Sequence, residues 1–91
     1  MARVQHYSEA TTLIPNQELS AQKLFEMGLM YSSGTTMPID RVQAHKFFNL
    51  AAMGGLEVAK DYRKDLANEM ASDEVARAQR EARDWLKGKM H

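Results

Sequence analysis

Residues 24–55 read LFEMGLMYSSGTTMPIDRVQAHKFFNLAAMGG, and this stretch decides the fold. Its apolar residues return every three or four positions and never alternate, which is the period of a helix and not of a strand. Ala44, Phe47, Phe48, Ala51 and Ala52 fall at i, i+3, i+4, i+7 and i+8, a wide stripe with no polar residue in it. Asp40 precedes this stripe, and its carboxylate can accept from the free N–H groups of a first helical turn. Upstream, Leu24, Met27 and Tyr31 share one face, and Gly34 can adopt the left-handed conformation that stops a helix. The stretch therefore predicts two helices. The first runs from about Asn16, behind Pro15, to Ser33; the second opens at Asp40 and ends at Gly55.

The pattern continues downstream. Leu56 to Met70 predicts a third helix with Ala59, Tyr62, Leu66 and Met70 in register. Ser72 reads as the cap of a fourth, with Asp73 and Glu74 at the positive end of its dipole. Val75, Ala78, Ala82, Trp85 and Leu86 form its apolar face, and Gly88 marks its end. Short connections favour antiparallel neighbours. The expectation is all-α: a short α-solenoid-like stack of two antiparallel helical hairpins, over 16–55 and 56–91. Residues 1–15 carry Val4, Tyr7, Leu13 and Ile14 among polar residues and read as an N-terminal arm.

With 91 residues there is room for one domain, and a multi-domain enzyme is excluded. Twelve basic residues against twelve acidic ones give no net field toward nucleic acid or an anionic membrane. Hydrophobic residues at 44% and charged residues at 26% have the balance of a soluble globular chain. No run reaches the roughly 20 apolar residues of a membrane span, and MARVQHYSEA lacks the apolar core of a secretory signal. A cytoplasmic location is expected. Without cysteine there is no disulfide, thiolate nucleophile or thiolate metal site.

The segment 24–55 resembles one unit of the Sel-one-like repeat family, relatives of the tetratricopeptide repeats. The resemblance rests on Met27, Gly28, Tyr31, Gly34, Asp40, Ala44, Phe47, Phe48, Ala51, Ala52 and Gly55. Gly28 inside a helix costs about 1 kcal/mol relative to Ala, so a neighbouring helix backbone is expected close to it. The next unit begins with Gly55, Leu56 and Ala59, but Arg63 and Lys64 replace a second apolar residue and a second Gly, so it is degenerate. MASDEVARAQREARDWL, residues 70–86, is similar to the closing helix that follows the last repeat in bacterial members. Residues 56–91 then act as a C-terminal cap, which repeat arrays need to cover an open face. The resemblance implies an adaptor or scaffold without catalytic residues.

Chemistry offers little competition. His6, His45 and His91 lack metal-ligand spacing, and no nucleophile–base motif, P-loop or GxGxxG is present. No cofactor, metal or small-molecule substrate is expected. His45 reads as an edge or solvent residue beside Lys46. Arg77, Arg80, Arg83 and Lys87 are interleaved with Glu74, Glu81 and Asp84, and the i,i+4 pairs Arg77–Glu81 and Arg80–Asp84 read as a salt-bridged solvent face. Met27, Met30 and Met53 fit a helical core. What stands out is LFEMGLMY, residues 24–31, apolar on nearly every face. Phe25 and Leu29 then form an outer patch that the arm, a second copy or another protein must cover. Gln22, Phe25, Leu29 and Met30, with the groove between the helices, are the candidate protein-binding residues; the alternative is an accessory subunit of a larger assembly or a homodimer.

Overall fold

A computed structural model describes residues 19–89, with the side chain of Lys89 outside the description. The arm and the expected start of the first helix near Asn16 lie outside the described residues. Four helices and no strand occur among those described: α1 (Ala21–Ser33), α2 (Arg41–Met53), α3 (Glu57–Ala67) and α4 (Ser72–Lys89). The chain is an all-α stack.

Local chemistry sets most of the boundaries. Helix α1 opens at Ser20, whose hydroxyl accepts from the Lys23 N–H at 3.1 Å. It closes at Gly34, left-handed at φ 73°. Asp40 caps α2 by accepting from the Gln43 N–H at 3.1 Å. Its own N–H donates to the Tyr31 carbonyl at 3.0 Å, which ties the start of α2 back to the last turns of α1. At the other end of α2 the Leu56 N–H donates to Ala51 and the Gly55 N–H to Ala52, a paired closure that places Gly55 at φ 101°.

Two expected boundaries move. Helix α3 ends at Ala67, and Glu69 and Met70 continue in short turns that donate to Leu66 and Ala67. Ser72 lies inside α4, which runs one residue past Gly88. The capping position belongs to Ala71: its carbonyl accepts from Glu74 and Val75, and its N–H donates to the Glu74 carboxylate at 2.9 Å. The Glu74 side chain thus makes the reach-back half of a capping box, with no cap bond from Ser72.

Helix α2 is the centre of the stack and packs against each of the other three. Its stripe is buried as the spacing predicts, with Ala44, Phe47, Phe48, Leu50 and Ala51 almost without exposure. Leu24 and Phe25 dock α1 onto it, each side chain contributing about 1.5–3 kcal/mol by leaving water. Small residues let α3 and α4 approach, namely Ala59 on α3 and Ala78 and Ala82 on α4, all fully buried. Rings complete the seams. Tyr31 of α1 stacks on Phe47, which also meets the edge of Trp85 of α4, at centroid distances of 5.8 and 5.4 Å. Glu81 adds a polar tie, accepting from Gln43 of α2 at 2.9 Å and from Arg77 at 3.1 Å.

Three expectations about packing change. The close neighbour of Gly28 is the Phe48 ring rather than a helix backbone: a Cβ at residue 28 would stand 2.5 Å from Phe48 Cδ1. Phe25 is covered from within, by Phe48 and by Tyr62 of α3, which meets it edge-on at 5.0 Å. The outer patch therefore loses Phe25, because α3 supplies the cover that neither the arm nor a partner needs to provide. Met30 and Met53 stand in solvent, and of the three methionines Met27 packs on the core.

Candidate functional site

Two clefts flank α3. The first, about 290 Å³, lies between α1, α2 and α3. Phe48, Tyr62 and Leu66 make its apolar surface, and Arg41, Asp65 and Glu69 its charged rim. Arg41 and Glu69 face each other at 3.7 Å, an exposed pair worth at most about 1 kcal/mol. Ser32 brings the edge of α1 into the lining. Ser32 is three residues beyond Leu29 and seven beyond Phe25, so this flank of α1 is the one that carries the candidate stripe.

The four candidate binding residues separate accordingly. Phe25 is core; Leu29 is half-buried and packs against the core; Gln22 and Met30 are exposed. Ile39 adds to the outer surface at the end of α1, about half exposed, with its side chain 2.9 Å from where a Gly34 Cβ would be. Tyr62, exposed on one side, extends the apolar surface across the groove onto α3. Sequence reasoning missed both as surface residues: Tyr62 sits in the apolar register of α3, and Ile39 lies in the connection between α1 and α2, where no periodicity applies.

The second cleft, about 530 Å³, lies between α2, α3 and α4. His45 and Asn49, one turn apart on α2, line it together with Lys60, Arg63 and Lys64 of α3. His45 is 2% exposed, which corrects the edge position expected for it. The flanking helices wall in a side chain that the sequence places next to Lys46. Its Nδ1 is buried without a hydrogen-bond partner. Burial, and then the Arg63 charge, push its pKa below the ordinary 6.5, so the ring is held neutral. Arg63 donates to Asn49 Oδ1 at 2.7 Å.

Stability should follow this ring. The folded state disfavours the proton that the unfolded chain accepts below pH 6.5, so stability is full above that pH and falls as pH drops toward the lower folded value. Urea melts at pH 7.5 and 5.5 check this. His45→Leu is expected to lose this part of the pH dependence and, by deleting an unpartnered buried polar atom that costs about 1–3 kcal/mol, to be at least as stable as the parent at pH 5.5. A variant as acid-sensitive as the parent would exclude His45 as the cause.

The Arg77–Glu81 pair forms on α4, whereas Arg80 and Asp84 make no ion pair among the described residues. No group of three or more His, Asp or Glu side chains that could hold a metal occurs among the described residues. No described helix is long and apolar enough to cross a membrane. Comparison of the chain with protein-family models, with curated proteins and with solved structures finds no match in any of the three.

Proposed function

We propose that this protein is a non-enzymatic, cytoplasmic protein-binding module, a Sel-one-like repeat hairpin closed by a C-terminal cap. Its partner is engaged by the outer face of α1 and the adjoining groove. The observation that carries the reading is the groove between α1, α2 and α3, where Tyr62 is exposed above the buried Phe48 and Leu66 on the flank of α1 that carries the half-buried Leu29. Apolar surface of this kind gains about 25 cal/mol per Å² on leaving water, and aromatic walls with a charged rim are typical of protein interfaces. The hairpin details support the repeat resemblance: a helical glycine under an aromatic ring, a left-handed stop at Gly34 and an aspartate cap at Asp40.

The double variant Gln22→Lys, Met30→Glu tests this on exposed positions that the core does not use. Helicity and melting are expected to match the parent, while proteins captured by the parent from its host are lost. Sedimentation of both forms separates the homodimer alternative: a parent dimer that the variant dissociates would place a second copy on α1. A monomeric parent that captures the same proteins as the variant would remove α1 from the interface.

A further inference from the structure

The cleft between α2, α3 and α4 has an unbalanced interior. Arg63 is half-buried, yet its one hydrogen bond is to the neutral amide of Asn49. Neither Arg63 nor Lys64 has a carboxylate within ion-pair distance among the described residues. Lys60 is paired outward with Glu57 at 3.3 Å, and Asp61, the one acid in the lining, pairs with none of the three cations. The α4 wall contributes Val75 and Gln79 and no charge. At its floor an imidazole 2% exposed leaves a ring nitrogen unpartnered. Half-buried charge and buried polar atoms are costly unless something satisfies them. A guanidinium anchored on one edge keeps the rest of its planar fork for a group with matching oxygens. The cleft, about 530 Å³, is within the size range of small-ligand sites.

We propose that this cleft binds a small oxyanion, a phosphate or carboxylate group, gripped by Arg63 and Lys64 above a floor of His45 and Asn49. The ligand supplies the missing counter-charge. It also changes the ring: an anion beside His45 offsets the Arg63 charge, so binding shifts the imidazole's titration upward from its lowered position. The groups facing that ring are Arg63, Lys60, Lys64 and Asp61 from α3, with no charged residue from the α4 lining. The inference stands independently of the protein-binding reading, which uses the other flank of α3.

The test is an NMR titration of the full chain with inorganic phosphate and, separately, with succinate, at constant ionic strength held with sodium chloride. Saturable shifts are expected at His45, Asn49, Arg63 and Lys64, and the His45 ring is expected to titrate at higher pH in the presence of the tighter probe. That probe identifies the source, phosphate or carboxylate. Arg63→Gln should weaken binding about tenfold, equivalent to about 1.4 kcal/mol. If Arg63→Gln fails to fold, Lys64→Gln carries the test: its side chain is exposed and unpaired in the free protein, and its loss should weaken binding several-fold without changing helicity. Shifts that rise linearly with either probe, or binding that neither substitution weakens, or a His45 titration unmoved by both probes, would overturn the site.

Discussion

Replacing Gly28 with leucine is expected to lower the melting temperature sharply, because the new side chain must enter space already filled by the Phe48 ring. Even the first added carbon would lie 2.5 and 2.6 Å from two ring atoms, a separation that forces the ring or the α1–α2 distance to shift. Phe48 is 1% exposed, with Phe25 and Tyr62 around it, so its room for movement is small. Overpacking of this kind costs about 1–3 kcal/mol and sometimes more. In a domain of this size each kcal/mol is worth roughly 4–8 °C. The pairing can be checked within the same series. Phe48→Ala alone should cost about 3–5 kcal/mol, and the double variant should cost less than the two singles added, since leucine then occupies the vacated ring space. Strict additivity in thermal melts would show that the two positions do not share that space.

Phe25→Glu is expected to unfold the protein or bring it close to unfolding at neutral pH. The substitution deletes a ring that contacts both Phe48 and Tyr62 and leaves a carboxylate in their place. Neither ring can pair with a charge, and burying an unpaired charge together with the lost packing exceeds about 4 kcal/mol, a large share of the roughly 5–15 kcal/mol that holds a domain folded. Circular dichroism at 25 °C provides the measurement. A helical, cooperatively melting Phe25→Glu variant would move Phe25 from the core to the surface and restore the patch expected from the sequence.

The difference between Phe25 and its neighbours explains what could be read from the sequence and what could not. Gly34, Asp40 and the Ala44–Ala52 stripe act locally: a left-handed stop, a cap three residues from its N–H, and one face of one helix. Such features depend on spacing along the chain, and each appears where it was expected. Phe25 and His45 depend on elements far away in sequence. Phe25 is covered by Tyr62, 37 positions later, and nothing in LFEMGLMY indicates which of its apolar flanks α3 will meet. His45 sits between Ala44 and Lys46 like any polar edge residue, and only the flanking of α2 by α3 and α4 turns that edge inward. Ser72 failed as a cap for a subtler reason. The capping position falls one residue earlier, at Ala71, whose N–H is taken by the Glu74 carboxylate, and Ser72 becomes the first residue of the helix.

The central place of α2 has a consequence for cooperativity. In a linear array each unit touches only its neighbours, so the chain can fray from one end and keep the other intact. Here α1, α3 and α4 all spend their apolar faces on the same helix. Loss of α2 order removes the support of all three at once, and loss of any one of them uncovers part of α2. Such a hub has no end from which to unzip. The described helices are therefore expected to melt as a single body, and a partner that grips α1 would act, through α2, on the order of the entire stack.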